Sequence, residues 1–75
     1  MFNVYTKENC PQCDEAKRLL TQSGKAFRTL KLGEDISRDE LLALIPTART
    51  MPQIMLGEQV IGGVQELKRL LCAAL

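Results

Sequence analysis

This sequence predicts an α/β chain with the element order β-α-β-α-β-β-α, and three observations carry the prediction. A short β-prone run, Phe2-Asn3-Val4-Tyr5, leads into Cys10-Pro11-Gln12-Cys13 and then an amphipathic helix. A second strand pattern follows that helix, so strand, helix and strand form a right-handed βαβ unit. Towards the other end, Gly57-Glu58 separates two strand-like runs as a hairpin turn, and Gly62-Gly63 breaks the second run before a last helix.

Each element has a local reason. The first strand alternates, ends at Thr6, and is expected to become central to a sheet. Pro11 suits an early helical position, because its missing N–H is one that the first turn leaves unpaired. Ala16, Leu19 and Leu20 then mark an apolar face with Cys13 on its leading edge, while Asp14, Glu15, Lys17, Arg18 and Gln22 face water. This helix runs from Pro11 to about Ser23, with acids early and bases later as the macrodipole prefers, and Gly24 stops it. Residues 26–32 alternate as a second strand, with Phe27, or else Ala26, Leu30 and Leu32, on the buried side. After a turn at Gly33-Glu34-Asp35, Ser37 and Glu40 form a capping box. The helix it opens carries Leu41, Leu42, Leu44 and Ile45 inward until Pro46 closes it. A loop, Thr47-Ala48-Arg49-Thr50, leads to Met51-Pro52, then to strands at residues 53–56 and 59–61. Val64, Leu67, Leu70, Leu71 and Ala74 have the spacing of the last helix.

The totals bound the function. Seventy-five residues make a single domain over 1–75, and a chain this short buries only about 60% of its unfolded surface. A net charge of +1 from 10 basic and 9 acidic residues, well mixed, argues against nucleic acid or an anionic membrane as partner. No cationic leader precedes an apolar run, and no segment approaches the roughly 20 apolar residues of a membrane span. The expectation is a soluble, cytoplasmic protein. Three cysteines are too few, and odd in number, for a secreted disulfide scaffold. Histidine is absent, so chemistry must run on thiols and charges.

Cys10 and Cys13 are the candidate chemistry. Three residues apart at a helix start, they sit about 5 to 6 Å apart, within the window of a disulfide. Exchange needs a thiolate, and a free cysteine with a pKa of about 8.5 is mostly protonated at neutral pH. Cys10 lies where unpaired N–H groups and the helix dipole favour a negative sulfur, and Lys7 is three residues upstream. The first thiol is therefore expected to be exposed and nucleophilic, and the second shielded until it resolves a mixed disulfide.

A C-x-x-C pair also makes half of a zinc site, but zinc wants four ligands and only Cys72 remains; no metal is expected. Cys72 itself reads as a small buried hydrophobe. Pro52 either starts a strand, or follows a cis bond that presents the Met51 backbone beside Cys10 for strand-like pairing with a substrate. Gly62-Gly63 is either a plain turn or a place where a ligand carboxylate reaches the start of the last helix. Lys7 and Arg49 are either solvated charges or anion contacts.

On these residues the chain resembles the glutaredoxins. Tyr5-Thr6-Lys7 before Cys10-Pro11-Gln12-Cys13 is similar to the family's active-site segment, whose usual motif is Cys-Pro-Tyr-Cys. Arg49-Thr50-Met51-Pro52-Gln53-Ile54 is similar to its Arg-Thr-Val-Pro-Gln-Ile segment with a cis-proline, and Ile61-Gly62-Gly63 to the Ile-Gly-Gly before the final helix. The resemblance implies a thioredoxin-like fold with a four-stranded mixed sheet in order 2-1-3-4, three helices on its two faces, and glutathione as reductant. By position it implies Cys10 as nucleophile and Cys13 as resolving thiol. Lys7, with Arg49 or Gln12, would hold glutathione's glycine carboxylate, and Met51, followed by cis Pro52, would pair with its cysteinyl backbone. Gly63 and the first helical residues, Val64, Gln65 and Glu66, would receive its γ-glutamyl end, with Glu66 toward the ammonium. Two departures fall on that site: Gln12 stands for the usual tyrosine, and Val64-Gln65-Glu66 where many members have Asp, or Thr followed by Asp.

The resemblance implies a monomeric thiol-disulfide oxidoreductase that reduces protein disulfides and protein-glutathione mixed disulfides, with ribonucleotide reductase a candidate client. One alternative is a glutaredoxin-like electron carrier recharged by thioredoxin reductase. Another, of a different class, is a module holding an iron-sulfur cluster between subunits, though its usual Cys-Gly-Phe-Ser motif has one thiol where this chain has two.

Overall fold

The computed structural model describes residues 1–73. Strand β1 (Phe2–Thr6) runs into helix α1 (Pro11–Gln22), then strand β2 (Phe27–Lys31) and helix α2 (Arg38–Leu44). Strands β3 (Gln53–Leu56) and β4 (Gln59–Gly62) form the hairpin, and helix α3 (Val64–Ala73) closes the order. The four strands make one mixed sheet in the order β2-β1-β3-β4. β1 pairs parallel with β2 and antiparallel with β3, so Val4 faces Thr29 on one side and Ile54 on the other. This is the thioredoxin-like arrangement that the motifs imply.

Strand alternation sorts the core into two layers. Phe2, Val4 and Ile54 point to one face and pack with Ala16 and Leu20 of α1 and Leu67 of α3. Tyr5 and Met55, one position on, point to the other face and pack with Ile36, Leu41 and Ile45. The sheet is thus covered by α1 and α3 on one side and α2 on the other. The choice left open for β2 resolves the same way. Phe27 joins the first layer, Leu30 and Leu32 join the second, and Ala26 is exposed before the strand begins.

Helix ends follow their caps. Ser37 Oγ accepts the Glu40 N–H at 3.0 Å and Glu40 Oε1 accepts the Ser37 N–H at 3.0 Å, the capping box expected from the sequence. At the other end of α1, Ser23 N–H bonds to Leu19 O at 3.0 Å, and Gly24 leaves the helix at φ +68°.

Two expectations are corrected. Leu41 and Ile45 are buried, but Leu42 is only half-buried and Leu44 is 48% exposed. At roughly 100° per residue, Leu41 and Ile45 define a stripe from which Leu42 and Leu44 each stand about 80° away, and a helix this short has no second wall to cover them. Cys72 is exposed rather than buried. It sits about 140° around α3 from Leu67, the residue buried at the centre of the helix's apolar face, whereas Val64, Leu70 and Leu71 lie within about 60° of it. The expectation for Ala74 lies outside the described residues.

Candidate active site

The site starts where β1 ends. Asn9 takes a left-handed conformation at φ 54°, one that its short polar side chain tolerates, and turns the chain toward Cys10. Cys10 is the N-cap of α1, with extended dihedrals of −122° and 91°. Its sulfur accepts the Cys13 N–H at 3.1 Å, the role that a serine or aspartate oxygen usually plays. The helix therefore directs a backbone donor at the sulfur, and negative charge there is stabilised. Cys10 and Cys13 are joined as a disulfide with their Cα atoms 5.2 Å apart, inside the interval expected from helical spacing. Cys13 is 1% exposed, while Cys10 is partly accessible. Only one end of the disulfide can be reached by a large reactant.

The loop before Cys10 is anchored from β2. Lys31 Nζ lies 3.0 Å from Glu8 Oε1 and 3.4 Å from Glu34 Oε1, and its hydrogen bond to Glu8, chiefly, raises its pKa above the ordinary lysine value. Opposite this loop the Met51-Pro52 bond is cis, so Pro52 follows the second of the two alternatives, and the Met51 carbonyl oxygen lies 3.9 Å from Cys10 Sγ. With Cys10 oxidised this is a contact and not a hydrogen bond. Gln53, buried in the sheet, donates from Nε2 to the Thr50 carbonyl at 2.8 Å and so holds the chain on the near side of Met51.

Two adjoining cavities meet at Gln12, Thr50 and Met51. One, of about 450 Å³, is lined by Cys10 together with Lys7, Asn9, Pro11 and Arg49. The other, of about 230 Å³, is lined by Pro52, Gly63, Val64, Gln65 and Glu66, with Glu15 and Lys68 at its edge. Every residue that the sequence put forward for the site thus lines one cavity or the other, except Cys13, which is buried behind Cys10. A further groove of about 380 Å³ continues past Lys7 and Arg49 to Arg38, over Leu41, Leu42 and Ala48. Lys7, Arg38 and Arg49 form no ion pair with any described residue. Arg38 was not found from the sequence. Its place as the first residue of α2 was legible, but not which end of α2 would face the thiols. Gln53 was read as a strand residue within the segment Arg49-Thr50-Met51-Pro52-Gln53-Ile54, and nothing in that pattern shows which carbonyl its side chain reaches.

The far side of the 230 Å³ cavity is different in character. Glu66 Oε1 accepts the Gly63 N–H at 2.8 Å, and Lys68 Nζ is paired with Glu15 Oε2 at 3.1 Å. What approaches the glycine pair here is the chain's own carboxylate. Among the described residues no three His, Cys, Asp or Glu side chains converge to hold a metal ion, and no helix is long and apolar enough to cross a membrane.

The Glutaredoxin family model matches residues 3–61. Glutaredoxin 3 of Escherichia coli K12 is 38% identical over 64 residues, covering 85% of this chain and 77% of that protein. A probable glutaredoxin of Synechocystis is 40% identical over 65 residues, covering 85% of this chain and 60% of that protein. Among solved structures, glutaredoxin 1 from Francisella tularensis complexed with cacodylate superposes with a TM-score of 0.80 at 25% identity, covering 97% of this chain and 93% of that one. A buckwheat glutaredoxin-glutathione complex gives a TM-score of 0.80 at 28% identity, covering 97% of this chain and 69% of that one. With an accessible and a buried thiol three residues apart at the mouth of α1, the chain belongs to the glutaredoxin family of thiol-disulfide oxidoreductases.

Proposed function

We propose that this glutaredoxin is recharged by glutathione and reduces protein disulfides and protein-glutathione mixed disulfides. The observation that carries this reading is the unpaired basic side of the Cys10 cavity. Lys7 and Arg49 flank the accessible sulfur with no carboxylate of their own, and they suit the glycine carboxylate of a short thiol peptide whose sulfur must meet Cys10. The free Met51 backbone edge beside Cys10 suits strand-like pairing with that peptide's cysteinyl residue. Gln12, Pro52, Gly63, Val64, Gln65 and Glu66 border the space left for the rest of it. The solved relative in complex with glutathione makes this ligand the natural first test.

The chemistry follows from the two environments. In the reduced protein the Cys10 thiolate attacks one sulfur of a client disulfide, forming a Cys10-client bond and expelling the other client sulfur as thiolate. Cys13, held behind Cys10 in the first turn of α1, attacks the Cys10 sulfur, forms the Cys10-Cys13 disulfide and releases the reduced client. Two glutathione molecules then restore the dithiol in two exchanges and leave as glutathione disulfide. A client already carrying glutathione needs only Cys10, which takes the glutathionyl sulfur and frees the client thiol. Ribonucleotide reductase is a candidate client on the protein-disulfide branch. Acting alone as a monomer in the reducing cytoplasm agrees with a dithiol that must be kept reduced.

A second reading, recharging by thioredoxin reductase, draws on Gln12 in place of a tyrosine and on the Glu66 carboxylate at the Gly63 N–H. Turnover of a disulfide client is measured with NADPH and either glutathione plus glutathione reductase, or thioredoxin reductase alone. The proposal expects turnover with glutathione; turnover with thioredoxin reductase only would overturn it. A cluster-holding role is less well supported, because a second thiol lies within bonding reach of Cys10.

A further inference from the structure

The groove of about 380 Å³ beyond Lys7 and Arg49 is not used by the exchange chemistry of the two thiols. Its floor is apolar, made by Leu41, Leu42 and Ala48. Leu42 is half-buried yet joins neither core layer, so its side chain is left to the groove. Lys7, Arg38 and Arg49 stand on the walls, all exposed and without an ion pair to any described residue. No carboxylate lines the groove. The acids of the neighbouring loops are engaged elsewhere. Lys31 holds Glu8 and Glu34 through Nζ, its backbone N–H donates to Asp35 Oδ2 at 2.9 Å, and Glu40 caps α2. Arg38 is the first residue of α2, where the macrodipole prefers an acid, so the helix itself gains nothing from that charge. The groove shares Lys7, Arg49, Thr50 and Met51 with the Cys10 cavity, and the two run into each other.

We propose that this groove docks the segment of a protein client that follows its reactive cysteine, and that it selects a segment of mixed acidic and apolar residues. The direction of the client chain rests on the glutathione reading. There the cysteinyl residue pairs with the Met51 backbone, and the next residue lies at Lys7 and Arg49. Glutathione ends at that residue and does not extend to Arg38 or Leu42. A protein chain continues. Its following residues pass over Leu42 toward Arg38, where apolar side chains cover the floor and carboxylates meet the unpaired cations. A floor of Leu41, Leu42 and Ala48 with cations along its rim suits such a peptide better than the phosphates of a nucleic acid. Arg38 and Leu42 thereby distinguish protein clients from the reductant, while Lys7 and Arg49 anchor both.

The test uses the Cys13→Ser protein, in which exchange stops at the mixed disulfide, and three symmetrical peptide disulfides amidated at the C-terminus so that no terminal carboxylate takes part. One peptide carries Asp-Leu-Asp-Leu after its cysteine, one Lys-Leu-Lys-Leu after it, and one Leu-Asp-Leu-Asp before it; glutathione disulfide is run alongside. The Cys10 thiolate attacks one peptide sulfur, a Cys10-peptide bond forms, and the other peptide leaves as thiolate, with no net gain of electrons. Mass spectrometry with peptide mapping reads the exchange constant at Cys10 apart from exposed Cys72. Arg38→Ala and Leu42→Ser are compared with the parent peptide by peptide, which cancels each peptide's own thiol reactivity. The expected result at low salt is a loss of about two- to fivefold in Arg38→Ala, the range of an exposed ion pair, for the peptide with acids after its cysteine. Leu42→Ser gives a loss of similar size for that peptide, because a peptide leucine no longer covers an apolar surface. The lysine peptide does not lose in Arg38→Ala, and glutathione exchange is unchanged in both variants, which also shows that both remain folded. The absence of either loss overturns the proposal, and so does a loss confined to the peptide with acids before its cysteine. An equal loss for glutathione in Arg38→Ala also overturns it, since Arg38 then serves the glycine carboxylate, and leaves the glutathione reading standing. Lys7→Ala judges that reading separately: if it leaves glutathione exchange unchanged, the glutathione reading fails whether or not the peptides depend on Arg38.

Discussion

The Cys10 sulfur accepts the N–H of Cys13 at 3.1 Å, so the residue that reacts is also the residue that caps the helix carrying its partner. Reactivity and local stability are therefore separable by substitution. Serine at position 10 keeps a capping acceptor and loses the nucleophile. Cys10→Ser is expected to abolish exchange with every client while leaving the reduced protein's thermal unfolding midpoint nearly unchanged. Residual exchange above background would place the nucleophile elsewhere, with exposed Cys72 the next to examine.

The basic side of the site should be read by salt as well as by mutation. Lys7→Ala and Arg49→Ala each raise the KM for glutathione by about two- to fivefold, the range of a single exposed charge contact. The effect shrinks as ionic strength rises and the Debye length falls. Steady-state kinetics at two salt concentrations check this. A KM for Lys7→Ala that matches the parent at low salt would contradict the assignment of its cavity.

Gln53 holds the Thr50 carbonyl from inside the sheet, next to the backbone that faces Cys10. Gln53→Leu removes that hydrogen bond and is expected to destabilise by about 1 kcal/mol, measured by urea unfolding. It should also lower kcat/KM for glutathione more than for a small disulfide that makes no backbone pairing with Met51.

The capping box of α2 gives a pH dependence with a definite sign. The Ser37 backbone N–H, and then its hydroxyl, hold the Glu40 carboxyl below its ordinary pKa. Its contribution to stability is complete above the unfolded value and is lost as pH falls through the folded value. Urea midpoints measured from about pH 7 to about pH 3 should fall less steeply for Glu40→Gln than for the parent, because the amide keeps an acceptor that does not titrate in that range. An identical slope would remove Glu40 from the account.

Much of this was legible because it is local. Cys10 and Cys13 are read from spacing alone, and the Ser37-Glu40 box from a four-residue pattern. The alternation in β1 marks it as a strand, whereas Ile54, Met55 and Leu56 are consecutive apolar residues whose faces the pattern does not distinguish. The cis bond before Pro52 came only through the motif around it, since nothing in the dipeptide Met51-Pro52 demands it. Position around a helix decided the failures. Cys72 and Leu44 are apolar enough to belong inside, yet each stands well off the stripe that its neighbours define. Arg38 depends on how α2 lies across the sheet, which no local pattern encodes. The cap that Glu66 places on Gly63 was not read, because a capping box is sought from serine or threonine, whereas here glycine leaves the donor to be taken from three residues ahead.

The division of labour between the two thiols is tested most directly by Cys13→Ser, assayed in parallel on a glutathionylated protein and on a protein disulfide. Cys10 stays accessible and capped in this variant, while the buried thiol that resolves a mixed disulfide is gone. The account predicts that deglutathionylation persists and reduction of the protein disulfide is lost. Equal loss of both activities, in a variant that remains folded, would contradict it.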